Sequence, residues 1–440
     1  MIKMMKLTGN ILYDVVHKAM QDVHISLTNN NTKAIMVWHD TIKDKDYWSS
    51  LAPYQIVNRI PNINLICRKA HCVRLIHRMS CIFPRLYSFL PLSYILPLQM
   101  SEFIREVEKQ NKKFIIKPDN GSLGQGITIL NPGDEYIPSK IFSISQEYIE
   151  SFLINETKFD CRVFAVVASI TPLRIYVYHD GIARFCSKKN GIDSAYSQIT
   201  NTSFNKHNRD ADLNLITKNL LFVFEIIRRQ RGINPKLIWA KIDALVVLTI
   251  MSDYSFLQKG EMEKCPSYGY PRCFQILGFD ILLDNQLNPK LLEVNFRPSL
   301  STIDIPMEMT VKKSMLVEVM KLFSSFSLIQ KYISNENWDN DIWIWFLKKN
   351  KATFQSMLNN TYNNSKLVQV YPVDNETVQQ IYDTVLYYAE RMPTDRTSDN
   401  HLPVKIDVEM DHYPLSNIKF SDIGTKLYYS LINDKTYDRY

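Results

Sequence analysis

Glycine is scarce, 12 residues in a chain of 440, which excludes collagen-like, glycine-repeat and Gly-rich linker readings. Long apolar runs are missing too. The longest largely apolar stretch, Ala244 to Met251, is brief, and Leu90–Leu98 is broken by Pro91 and Pro97. Neither approaches the ~20 residues that span a bilayer. Met1 to Asn10 carries lysines but no apolar core, so no secretory leader is expected. Cysteine supplies no framework: positions 67, 72, 81, 161, 186, 265 and 273 include no C-x-x-C pair. The thiols are therefore read as free and buried, in a reducing compartment. With 45% apolar and 22% charged residues, a soluble intracellular globular chain of roughly two to three domains is expected.

Acid is absent between Asp46 and Glu102, while Arg59, Arg68, Lys69, Arg74, Arg78 and Arg85 fall inside that stretch with His71 and His77. A field of one sign attracts an anion, whether nucleotide phosphate, nucleic acid or acidic peptide. A solvated helix face has the same composition. The overall formal charge, +7, adds little.

The pattern of residues predicts a strand at Ile35–Trp38 and a basic amphipathic helix at Arg68–Met79. Strands follow at Lys113–Lys117, Ile127–Leu130 and Cys161–Ser169. Leu173–Tyr178 and Ile182–Cys186 read as a hairpin turning at His179-Asp180-Gly181. Helices are expected at about 215–230 and 236–250, and a loop over 252–272 from Gly260, Pro266, Gly269 and Pro271. A second hairpin, Phe274–Leu283 with Lys290–Asn295, precedes a helix at 308–323. Beyond 330, helices are expected near 340–358 and 375–391, and the last 45 residues read as loosely structured.

Three constellations carry chemistry. Lys117-Pro118-Asp119-Asn120-Gly121-Ser122-Leu123-Gly124-Gln125-Gly126-Ile127 joins two strands. Its glycines can aim backbone N–H groups at a phosphate beside a lysine charge, or merely serve a turn. The spacing fits neither the P-loop nor the dinucleotide fingerprint. In the second hairpin, Asp280 interrupts an apolar run, and Glu293 and Asn295 share one strand face. Three oxygen donors there suit Mg²⁺; a salt-bridged or plain polar sheet face is the alternative. A carboxylate so placed is costly unless it is paired or metal-bound, which favours the metal. Finally, Lys158, Asp160 and Arg162 alternate onto one face, with Arg184 on the next strand. They form either a phosphate clamp or a cross-strand ion-pair ladder.

In sequence order these residues resemble the tubulin tyrosine ligase-like amino-acid ligases, which have an ATP-grasp fold. The likeness runs from about residue 10 to 323. It is carried by Gln55-Ile56-Val57-Asn58 with Ile66-Cys67-Arg68-Lys69, by the Lys117-Pro118-Asp119 loop, and by Gln146-Glu147-Tyr148-Ile149. It continues through Lys158-Phe159-Asp160-Cys161-Arg162, Pro172 to Phe185 and Thr200-Asn201-Thr202-Ser203-Phe204-Asn205-Lys206. It ends with Leu277-Gly278-Phe279-Asp280 and Leu291-Leu292-Glu293-Val294-Asn295. The loop looks most like that of the glutamate-adding, polyglutamylase branch.

The resemblance implies an α+β ATP-grasp fold: an N-terminal lobe at 1–105, a central lobe at 106–205, a C-terminal lobe at 206–330, and a partly helical C-terminal appendage at 331–440. It implies ATP and Mg²⁺, with the metal on Asp280, Glu293 and Asn295. ATP would be lined by Lys69, Lys117, Gly124, Gln125, Gly126, Ile127, Gln146, Glu147, Tyr148, Ile149, Lys158, Phe159, Asp160, Arg162, Thr200 and Asn201. Free L-glutamate would meet Arg184, Thr202, Ser203, Lys218 and Lys312, with Arg184, Glu293 and Lys117 central to catalysis. The implied reaction joins glutamate to a carboxylate of an acidic tubulin tail through an acyl phosphate. Glycine or tyrosine as the amino acid, a non-tubulin acceptor, or an inactive microtubule-binding adaptor are the alternatives. A cytoplasmic, cytoskeletal or ciliary monomer is expected, with neither nucleic acid nor membrane as partner.

The sequence departs from the family pattern in four places: Gln125 for an arginine, Gln198 for a histidine, Thr202 for a tyrosine and Phe152 for a proline. A lost loop arginine costs roughly the 1.5–3 kcal/mol of a charged hydrogen bond. Past 330 the likeness fades, and Trp338, Trp343 and Trp345 are expected to pack.

Overall fold

The computed structural model describes residues 5–41, 47–120, 126–191, 194–205, 208, 212–302, 305–335, 338–358, 365–394 and 417–433. Among them the chain is a mixed helix-and-strand fold built on three sheets.

Near the N-terminus, Ser26–Leu27, Lys6–Asn10, Met36–His39 and Ile56–Val57 form a parallel sheet in that order. A second, antiparallel sheet runs Ser93–Leu96, Ser143–Glu147, Phe114–Pro118, Thr128–Leu130. The largest sheet has seven strands. Its spine is Thr217–Asn219, Arg174–Phe185, Thr157–Ser169, Gln275–Leu283 and Pro289–Asn295, all antiparallel. The central strands read as nearly continuous apolar runs because helices cover the sheet. One of these, Pro235–Met251, starts with Asn234 accepting from Lys236 N–H and Pro235 in the first turn. Both features favour a helix start. From Ile238 to Met251 all but one of its residues are buried, as expected of a helix apolar on every side.

The sheets cut across the lobe limits expected from the sequence. Ser93–Leu96 pairs with Ser143–Glu147, and Thr157–Ser169 pairs with Gln275–Leu283.

Four expectations are corrected. The hairpin turn at His179-Asp180-Gly181 is instead the interior of one strand, Arg174–Phe185. Opposite Val163 and Phe164 the partner jumps from Gly181 to Tyr178, so two extra residues bulge out. Asp180 fixes the bulge, accepting from Gly181 N–H at 2.7 Å, Asn219 Nδ2 at 3.0 Å and Lys366 Nζ at 3.0 Å. Second, the expected loop at 252–272 contains the helix Tyr254–Lys264. Gly260 is not a breaker there: a Cβ on it would lie 2.8 Å from the Pro61 carbonyl oxygen, so its bareness lets the chain approach.

Third, part of the last 45 residues is the helix Phe420–Asn433, whose Ile423 is fully buried. Fourth, the described residues beyond 330 do not stand apart as an appendage. Their Leu367–Tyr371 strand adds to the large sheet beside Arg174–Phe185, and their helix Glu376–Glu390 buries Val378, Ile381 and Tyr382 in the core shared with Pro235–Met251. Trp338 and Trp343 pack edge to face at 4.8 Å. Trp345 does not pack: it is exposed, with Lys349 Nζ 4.7 Å from its ring centre.

Candidate active site

A cavity of about 590 Å³ opens between the second sheet and the large one. Strand alternation decides what reaches it. On Thr157–Ser169, Lys158, Asp160 and Arg162 face the cavity. Phe159 points the other way, into the core, stacked on Phe185 at 5.2 Å. The expectation that Phe159 lines the nucleotide is therefore corrected by the same period of two that places its neighbours.

Arg184 and Asp160 face each other in register and join through two parallel bonds, Nε–Oδ1 and Nη2–Oδ2, both 2.7 Å. Thr200 Oγ1 donates to the same carboxylate. Arg162 is opposite Asp280 in the register of the next strand pair and donates to both its oxygens, with Nη2–Oδ2 at 3.0 Å. Arg184 Nη2 reaches Asp280 Oδ2 as well, at 2.8 Å. The ion-pair ladder thus exists, and it forms a cavity wall. Burial alone would raise the Asp280 carboxyl, but the two guanidiniums outweigh it and hold it below the usual carboxylate range. Burial likewise opposes the Arg184 charge, yet Asp160 and Asp280 keep it firmly protonated.

Across the next strand pair Asp280 sits opposite Glu293, and Gly278 opposite Asn295. Asn295 Nδ2 lies 3.4 Å from Glu293 Oε1. Burial, and after it the Asp280 charge, push the Glu293 carboxyl above its usual range despite Lys69 and Lys117 nearby. Lys69 Nζ is 4.0 Å from that carboxylate. Among the described residues no group of three His, Cys, Asp or Glu side chains is placed to hold a metal. Asp280, Glu293 and Asn295 nonetheless line the same cavity, with the Asn295 amide 3.4 Å from Glu293. That donor set fits a hard cation taking few protein ligands, such as Mg²⁺.

The opposite wall is Phe114–Pro118 and Ser143–Glu147. Lys117 is buried and donates to Gln146 Oε1 at 3.0 Å, and Gln146 Nε2 donates to Ser93 Oγ at 3.2 Å. Burial lowers the Lys117 ammonium below its ordinary value. Glu147, Tyr148 and Ile149 also line the wall. The Tyr148 ring makes cation–π contacts with two ammonium groups, Lys158 at 3.8 Å and Lys113 at 4.6 Å, which no motif or spacing foretells. Burial lowers Lys158 to about 8. Asp119 accepts from Ala70 N–H at 2.8 Å, tying the glycine loop to the helix Lys69–Ile82.

Ile127 and Asn201 line the cavity. Gly126 takes a left-handed turn, φ 69°, against Pro118, and Gly124 and Gln125 lie outside the described residues. Thr202 and Ser203 begin the short helix Thr202–Asn205. Lys312 lines the cavity and is buried, donating to the Ser301 carbonyl at 2.6 Å and to Glu308. Lys218 is not brought in: it is absent from the cavity lining among the described residues, and its ammonium donates to Asn214 O at 3.0 Å. Gln198, which departs from the family pattern, accepts from Lys113 Nζ at 3.0 Å. Glu308 was missed, although its place four residues before Lys312 on a helix is a readable pairing signal.

The acid-free stretch is only partly a surface field. Arg59, Arg74 and Arg78 are 7%, 8% and 5% exposed. Arg78 Nη2 donates to Pro393 O at 2.8 Å. Among the described residues no helix is long and apolar enough to cross a membrane.

The profile of the tubulin-tyrosine ligase family matches residues 48–335. The chain belongs to that family. It is 34% identical over 312 residues to "Tubulin polyglutamylase TTLL7" of Homo sapiens, covering 66% of this chain and 34% of that protein. To "Tubulin polyglutamylase TTLL13" of Mus musculus it is 31% identical over 341 residues, 74% of this chain and 42% of the relative. To "Tubulin polyglutamylase TTLL6" of Mus musculus it is 32% identical over 339 residues, 74% and 41% respectively. The chain thus matches well under half the length of these curated relatives. The tubulin-tyrosine ligase family match covers both strands of the carboxylate hairpin and ends before Leu367–Tyr371.

Proposed function

We propose that this protein is an ATP- and Mg²⁺-dependent ligase that adds glutamate to side-chain carboxylates of acidic tubulin tails. The observation that carries the reading is the convergence of Asp280, Glu293 and Asn295 with Lys69 and Lys117 in one cavity, in a chain whose relatives are named tubulin polyglutamylases. The three-lobed ATP-grasp division, with nucleotide between the second sheet and the large one, is part of the same proposal.

Lys117 and Lys158 supply positive charge to the triphosphate, and Tyr148 and Ile149 meet the base. Asp280, Glu293 and Asn295 would hold the divalent ion, whose contribution is to neutralise phosphate oxygens as charge shifts. The γ-phosphoryl group passes to an acceptor carboxylate, giving an acyl phosphate. The amine of free glutamate then attacks the acyl carbon and phosphate leaves. This chemistry depends on positioning and charge, and needs no covalent nucleophile from the protein. Arg184 and Lys312 pair with the carboxylates of the incoming amino acid. A buried arginine already held by two aspartates keeps its direction without reorganising when substrate arrives.

Incubation of the purified protein with ATP, Mg²⁺, labelled glutamate and tubulin tests the reading. The expected result is mass added to tubulin tails in steps of one glutamyl residue, abolished by Glu293→Gln. Incorporation that survives Glu293→Gln, or mass steps of another amino acid, defeats it.

A further inference from the structure

One carboxylate of the cavity lining, Glu308, has no part in the proposed ligase chemistry. Glu308 lies in the first turn of the helix Pro306–Ser324, and Lys312 one turn on. The Lys312 ammonium donates to Glu308 Oε2 and to the Ser301 carbonyl. Glu308 Oε1 has no hydrogen-bond partner among the described residues, and the residue lines the cavity. The other lining carboxylates are engaged. Both oxygens of Asp160 and of Asp280 accept from arginines, and Asp119 accepts from Ala70 N–H. Glu147 is 3.8 Å from Lys112, and Glu293 is 4.0 Å from Lys69.

A free amino acid arrives as an ammonium ion, which has no lone pair to attack with until a proton leaves. We propose that Glu308 is the base that takes this proton while Lys312 holds a carboxylate of the same amino acid. The inference rests on the ligase reading above. One N–H proton passes to Glu308, and the freed pair forms the C–N bond at the acyl carbon. The C–O bond to phosphate breaks, with its electron pair leaving on phosphate. The second N–H proton goes to the departing phosphate. With Glu308 and Lys312 joined in one contact, a single geometry orients both ends of the substrate.

Hydroxylamine separates the two halves of the reaction, because its nitrogen is already neutral near neutral pH and needs no base. With ATP, Mg²⁺ and tubulin, it traps the acyl phosphate as a hydroxamate. Glu308→Gln is expected to lower glutamate incorporation at least about 100-fold, with hydroxamate formation within about twofold of wild type and the KM for ATP unchanged. Glu308→Asp, which keeps the charge one methylene back, is expected to recover part of the incorporation. Equal incorporation by Glu308→Gln and wild type overturns the inference. So does a parallel loss of hydroxamate in both variants, which marks Glu308 as structural. Wild-type protein that forms no hydroxamate overturns the ligase reading and this inference together.

Discussion

Asp280 holds two guanidiniums at once, and Glu293 beside it carries a proton more readily than an exposed carboxylate. The two residues should answer to mutation in opposite ways. Replacing Asp280 by Asn leaves buried Arg162 and Arg184 facing a neutral group, and breaking such a pair costs about 3 kcal/mol or more. A lower urea midpoint is the expected result. Glu293 works the other way. Its carboxyl is raised in the folded state, so the fold binds more protons than the unfolded chain. Stability therefore declines as pH climbs from the ordinary carboxylate value through the raised one. Metal-free Glu293→Gln should melt higher than wild type near neutral pH and no higher in acid, below the ordinary carboxylate value. It should also lose the stabilisation that Mg²⁺ with nucleotide is expected to give wild type. Melting curves at two pH values, with and without magnesium nucleotide, check both points. Lys158, lowered to about 8 by burial, gives a kinetic signature. kcat/KM for ATP should fall as pH passes about 8, and Lys158→Arg should flatten that fall. At this scale the alternating charges of 158–162 and the lone Asp280 were legible, because a period of two and the cost of burial act locally. Which of Arg59, Arg74 and Arg78 lie inside was not, since composition is blind to what a helix packs against.

Elements were legible where periodicity and caps agree and illegible where a glycine was taken at face value. Gly181 looked like a turn and Gly260 like a loop, yet each marks a close backbone approach inside a regular element. A Cβ at Gly181 would sit 2.4 Å from the Arg162 carbonyl oxygen and 2.7 Å from Leu220 Cδ1. Neither strand has slack there, because Arg162 is held to Asp280 on its other side. Gly181→Ala should therefore destabilise by about 1–3 kcal/mol and also lower ligase turnover, through displacement of Arg162. Denaturation midpoints and initial rates on the same preparation test this. Turnover unchanged in a destabilised variant would separate the bulge from the site.

At the scale of the whole molecule, the segments after the family match complete the large sheet and its core. Leu367–Tyr371 hydrogen-bonds along residues 175–178 of the strand that carries Arg184. Phe420–Asn433 lies against Pro235–Met251, with Gly424 brought so near that a Cβ would meet Lys241 Cγ at 2.7 Å. The sequence could not announce either partnership, since both pairings join residues far apart in the chain and leave no periodic trace at the contact. The consequence is that a fragment ending where the family match ends, at residue 335, should not behave as a smaller stable enzyme. It would expose the apolar face of Pro235–Met251 and leave the 174–178 edge unpaired, an invitation to aggregation. A milder test avoids wholesale truncation. Ile423 is fully buried, so Ile423→Ala should cost about 2–4 kcal/mol, although it lies on an element outside the matched region. A denaturation midpoint indistinguishable from wild type would mean that the C-terminal helix is detached from the body in solution. A fragment ending after Glu390 would then be expected to fold and to retain the cavity.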